Sequence, residues 1–152
     1  PRFLSHCLAV GDVNLLLRAL KDHGATDVAV QVEPASWRTF TGPAGERRSL
    51  QPDLAALVTT DDFEERWFLE VDLGTESLPT LLRKCGQYEA YRVSGQEQAE
   101  HGSFPLVWWV LPTSQRADRL LATIRRTPRL TPALYRVATF ETLPGALTEA
   151  LR

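Results

Sequence analysis

The sequence predicts an α/β fold, a mixed central sheet flanked by helices. Three observations carry that expectation. Leu4, Leu8, Val13, Leu16, Leu17 and Leu20 recur at helical spacing, whereas Val28, Val30 and Val32 alternate as a half-buried strand does. Residues 105–111 (Pro-Leu-Val-Trp-Trp-Val-Leu) form a near-continuous apolar run, the pattern of a strand covered on both faces. With 152 residues, 43% hydrophobic and 24% charged, the chain suits a single domain with its own core.

The elements follow in order. A first helix is expected over residues 4–22, with Gly24 just past its end. A strand over 27–33 comes next, and residues 37–41 either continue it or form a short partner; Gly42-Pro43-Ala44-Gly45 is a loop. Residues 54–60 and 66–73 read as strands, and the short connection through Asp61-Asp62 predicts an antiparallel hairpin. Residues 77–93 read as a helix with Leu78, Leu81, Leu82 and Cys85 as its buried stripe. Thr75 or Ser77 is its cap, and Pro79 fits only in the first turn. After the apolar strand come a helix over 113–126, a strand over 134–139 and a last helix over 143–151. The unit from Arg66 to Leu111 is expected to be a right-handed parallel crossover.

Composition narrows the function classes. No apolar run approaches the ~20 residues of a membrane helix and no signal segment opens the chain, so a cytoplasmic protein without a membrane partner is expected. Cys7 and Cys85 are too few for a disulfide scaffold and read as reduced, buried helix residues. A net charge of −2 argues against a strongly basic nucleic-acid coat, though charge can be segregated. The cluster Asp61, Asp62, Glu64 and Glu65 and the cluster Arg116, Arg119, Arg125, Arg126 and Arg129 read as solvated surface. His6, His23 and His101 do not make a zinc spacing. Glycine loop and Ser/His/Asp signatures are missing. His6 reads as a satisfied helix residue, Glu33 as a solvated strand end, and Trp108 and Trp109 as core. Because the chain starts at Pro1 and has no Met, a fragment of a longer protein is expected.

One constellation carries chemistry. Glu70 and Asp72 are two apart on a strand and share a face, with Leu69, Val71 and Leu73 on the other. Asp53 starts the neighbouring antiparallel strand, so it should lie beside them. Three such carboxylates repel unless a cation or proton joins them, and Mg²⁺ or Mn²⁺ takes a few carboxylates plus waters and phosphate oxygens. Lys84, Gln87, Tyr88 and Tyr91 fall at i, i+3, i+4 and i+7 on the next helix, one stripe over the strand end. Lys84, one of only two lysines, is placed to orient an attacking water or to offset charge on phosphorus. Gln87, Tyr88 and Tyr91 are the candidate substrate contacts. Such a set can hold a divalent metal and act on a phosphodiester.

These residues resemble the PD-(D/E)XK, restriction-endonuclease-like nucleases, through the helix–three strands–helix–strand order, Pro52-Asp53 and Glu70-x-Asp72. More narrowly, the chain resembles the replication-relaxation family of bacterial plasmids and mobile elements. That likeness rests on His6-Cys7-Leu8-Ala9-Val10 with Asn14, on residues 68–75 (Phe-Leu-Glu-Val-Asp-Leu-Gly-Thr), on Lys84, Tyr88 and Tyr91, and on Phe104-Pro105. The resemblance implies an αβββαβ core with extra C-terminal elements, and Asp53 and Glu70 as metal ligands. The superfamily pattern has Lys where Asp72 stands, which implies that Lys84 takes the lysine's part. Gln87-x-x-x-Tyr91 is similar to the Gln/Tyr motif of helicase-associated nucleases of this fold. A DNA-binding segment upstream and replication or transfer proteins as partners are implied as well. Asp72 at the lysine position leaves a second function open, a nuclease-like module without catalysis that binds DNA or protein. A third, a structural assembly domain, would show an exposed aromatic face around Trp37, Phe40 or Trp67.

Overall fold

The computed structural model describes all 152 residues. In chain order its elements are α1 (Arg2–Arg18), β1 (Asp27–Val32), β2 (Arg38–Thr41), β3 (Arg47–Leu50), β4 (Leu54–Thr59), β5 (Glu64–Val71), α2 (Leu78–Ser94), α3 (Gln96–His101), β6 (Leu106–Leu111), α4 (Ser114–Arg126), β7 (Tyr135–Thr139) and α5 (Leu143–Glu149). A single 3-10 turn, Ala19–Asp22, finishes α1, and a second, Pro132–Leu134, leads into β7.

Five strands make a mixed sheet in the order β1-β4-β5-β6-β7. β4 is antiparallel to β1 and β5, while β5, β6 and β7 run parallel. The expected hairpin and parallel crossover are therefore both present. Each face of the sheet carries its own core, as a sheet apolar on both faces requires. On one face Phe68, Trp109 and Leu111 pack against Leu81, Cys85 and Tyr88 of α2 and Leu120 and Ile124 of α4. On the other, Trp67, Leu69, Val71 and Trp108 pack against Val13 and Leu17 of α1 and Leu143 and Leu147 of α5. Trp108 and Trp109 thus divide between the two cores. Side chains of this size contribute about 1.5–3 kcal/mol each on full burial.

α2 starts as its sequence requires, with the Ser77 side chain accepting from the Thr80 N–H and Pro79 in the first turn. It stops at Gly95, whose φ of 75° is left-handed and suits glycine. Residues 38–41 form neither an extension of β1 nor part of the main sheet; they pair with Arg47–Leu50 in a separate two-stranded sheet.

Two expectations are corrected. Cys7 is exposed rather than buried, since its turn of α1 faces solvent; Cys85 is buried, and burial pushes its thiol up to about 12. The stretch Arg2–Asp22 is long and apolar enough to cross a membrane, although Val13, Leu17 and Leu20 on it are spent on the core. Phe3, Leu4, Leu8 and Leu15 of the same stretch are exposed. The aromatic assembly face is not formed, because Phe40 and Trp67 are buried and only Trp37 is exposed.

Candidate active site

The β4–β5 register sets the geometry. Leu54 lies opposite Leu69, so Asp53, one residue earlier, falls beside Glu70. Asp53 Oδ2 accepts from the Val71 N–H at 2.7 Å, which fixes the carboxylate across the strand ends. His6 comes in from α1. Its Nε2 lies 3.1 Å from the Val71 carbonyl oxygen and 3.4 Å from Asp53 Oδ2. The helix histidine is therefore satisfied and faces the site.

Glu70 is 5% exposed, and its carboxylate, which opens on a cleft, takes part in no side-chain hydrogen bond or ion pair. Burial pushes its pKa well above the ordinary glutamate value, and the nearby Asp53 raises it further. Burial also raises Asp53, against the pull of the Val71 N–H and His6. Lys84 stands across from both. Burial acts to lower its ammonium, but Glu70 and Glu76 outweigh that and hold it above its ordinary value. Lys84 Nζ donates to Glu76 Oε1 at 3.2 Å.

Two clefts meet here, sharing Asp53 and Lys84. One, of about 310 Å³, is walled by Glu33, Gln51, Glu70 and Gln87. The other, about 720 Å³, runs between the start of α1 and the β5–α2 turn and includes Arg2, Phe3, His6, Asp72 and Glu76.

Asp72 shares the Glu70 face but is not a third member of the pair. Both of its oxygens hold Arg116 of α4, at 2.6 Å from Nε and 2.9 Å from Nη2, and Oδ2 also accepts from the Gly74 N–H. The three-carboxylate cluster expected from sequence is thus not assembled, and no group of three His, Cys, Asp or Glu side chains is arranged to hold a metal ion. The reason is charge pairing: a bidentate guanidinium satisfies Asp72 better than two like-charged neighbours. That hydrogen bonding in turn raises the Arg116 pKa. Arg116→Ala strands a buried carboxylate and should cost about 1–3 kcal/mol; an unchanged melting curve would remove the pair from the stability account.

The helix stripe splits as well. Lys84 and Gln87 reach the clefts. Tyr91 is fully buried and donates to Glu97 Oε1 at 2.7 Å, so it does not reach a substrate. Tyr88 is 1% exposed with an unpartnered hydroxyl, and burial next to Glu70 drives its pKa well up. Both tyrosines are drawn inward by Phe68, at ring-centroid distances of 5.7 and 6.4 Å.

The model of the replication-relaxation family matches residues 1–107, more than two thirds of the 152. The chain belongs to the replication-relaxation family. Membership points to a role in replication or relaxation of plasmids or mobile elements. The replication-relaxation match contains His6, Asp53, Glu70, Asp72 and Lys84, whereas Arg116 lies beyond it. No curated protein and no solved structure matches the chain.

Arg116 is the site residue that sequence reasoning missed, because it stood in an arginine cluster read as solvated surface. Glu97 and Glu76 were also missed. Glu97 is fully buried, and its only sequence signal is an acid in a short polar helix.

Proposed function

We propose that this domain is a metal-dependent DNA nuclease of the PD-(D/E)XK type, acting in the cytoplasm on plasmid or mobile-element DNA. The observation that carries the reading is Glu70: a buried carboxylate without a partner, beside a second carboxylate, in an open cleft. A buried unpaired charge is unfavourable, and a divalent cation is the partner this donor set fits. Asp53 and Glu70 would hold it, leaving its other positions to water and phosphate oxygens, as Mg²⁺ prefers. A cation held there supplies Lewis-acid activation of water and offsets charge on the phosphate.

The protein groups have separate tasks. The Val71 N–H and His6 fix Asp53. Lys84 brings a permanent positive charge toward the phosphorus at which negative charge develops. Gln87, exposed at the cleft rim, donates to a phosphate oxygen. Asp72 acts through Arg116, anchoring the start of α4 against the β5–α2 turn. The tyrosines pack α2 on the sheet and thereby set where Lys84 stands.

The test is cleavage of supercoiled plasmid with Mg²⁺ or Mn²⁺. Nicking is expected for the wild type, with loss of at least about 100-fold in Asp53→Ala and Lys84→Ala, the scale of removing one electrostatic group from a site. Full activity in Asp53→Ala would sink the assignment. A folded wild type that neither cleaves DNA nor binds Mn²⁺ in calorimetry would favour the second reading, a DNA- or protein-binding module. That reading is motivated by the Asp72–Arg116 pair standing at the superfamily's lysine position.

A further inference from the structure

The walls of the two joined clefts bear on which form of DNA they receive. Their lining side chains include five carboxylates (Glu33, Asp53, Glu70, Asp72 and Glu76) against two permanent cations, Arg2 and Lys84; a third cation, Arg116, is already taken up by Asp72. A duplex is gripped by many phosphate contacts, and counterion release supplies most of its affinity. A groove this acidic lacks the cations for that grip. Single strands are held differently, by aromatic side chains on which bases stack, with fewer charges along the backbone.

The larger cleft has such a side chain. Phe3 is 80% exposed, lines the same cleft as Asp53 and Lys84, and follows Arg2. Its ring takes part in no aromatic pair and lies outside both cores. It is also distinct from the apolar stripe of Leu4, Leu8 and Leu15, since residues 3 and 4 point about 100° apart on a helix. The paired carboxylates sit low in the cleft, Asp53 with 14% of its side chain exposed and Glu70 less. A single flexible strand reaches such a floor more readily than the rigid backbone of a duplex.

We propose that the substrate is single-stranded DNA, with a base stacked on Phe3, the adjoining phosphate at Arg2, and the next phosphodiester delivered toward Asp53 and Lys84. The inference rests on the nuclease reading for what happens at the carboxylates, but not for the binding itself.

The experiment is fluorescence anisotropy with a labelled single-stranded oligonucleotide and a duplex of the same sequence, in Ca²⁺ and in EDTA. The single strand should bind at least about tenfold more tightly. Phe3→Ala and Phe3→Leu should each weaken it by roughly tenfold, the scale of one stacked base, while Phe3→Tyr keeps it. Arg2→Ala should instead flatten the salt dependence by about one phosphate contact. Equal or tighter duplex binding, no binding of either DNA, or an unchanged Phe3→Ala protein would overturn the proposal. Plasmid cleavage that needs Asp53 but ignores Phe3 would leave the nuclease reading standing and this one fallen. Phe3-dependent strand binding without cleavage would do the reverse.

Discussion

Glu97→Ala is expected to lower stability by about 3–5 kcal/mol, the cost of breaking a buried ion pair from one side. Glu97 is fully buried. It holds Arg38 of β2 at 3.2 Å, pairs with Arg66 of β5, and accepts from Tyr91 of α2 at 2.7 Å. His101 lies 3.8 Å away. Removing the carboxylate leaves two guanidiniums, 17% and 16% exposed, facing each other without an anion. Burial and Arg38 already depress the Arg66 pKa. At about 2–4 °C per kcal/mol for a chain of this size, Tm should fall by on the order of 10 °C. Glu97→Gln keeps an acceptor for Tyr91 and should fall between. Glu100→Ala, at a 56% exposed side chain, is the control and should stay within about 0.5 kcal/mol. Thermal melts followed by circular dichroism decide it; a wild-type Tm in Glu97→Ala would mean that desolvation cancels the pairing.

Glu70→Gln should have the opposite sign on stability and a large effect on activity. The folded protein raises the Glu70 pKa by burial and by Asp53, above an ordinary value of 4.5. The folded state therefore holds that proton more tightly than the unfolded chain does. As pH climbs from the ordinary value through the raised one, the unfolded state gains by ionising first, and the fold loses stability. An amide cannot ionise. The variant should match wild type in acid and become more stable toward neutral pH, by on the order of 1–2 kcal/mol. Plasmid cleavage should disappear in the same protein. Melts at several pH values check the sign: a gap that is constant with pH, or that favours wild type at neutral pH, would show that Glu70 is not a source of strain.

Much of this was legible in sequence because strand and helix periods report burial directly. Val28 and Val30, the Pro105–Leu111 run and the Leu81/Cys85 stripe lie where their spacing places them, whereas Val32, at the end of its strand, is exposed. Pairing across the short Asp61-Asp62 turn brought Asp53 beside Glu70 with no long-range information. What stayed hidden depends on distant partners. β3 is Arg-Arg-Ser-Leu, too polar and short to show a strand period, and exists because β2 pairs with it. α3 is stabilised through Glu97, whose arginine partners lie 31 and 59 residues away. Asp72 and Arg116 are 44 residues apart, so nothing local shows that the third carboxylate is already engaged. Tyr88 and Tyr91 satisfy the helical stripe equally well as cleft residues or as core, and Phe68 settles them inward.

α1 has one further consequence. Its fully buried residues, Val13 and Leu17, lie in its second half, while His6, in contact with Asp53, lies in its first. Seventeen helical residues make a stiff rod of about 25 Å. Leu4 and Leu8, both exposed, sit on the same half of the rod as His6. A partner that covered Leu4 and Leu8 would therefore press on the segment that carries His6 to Asp53.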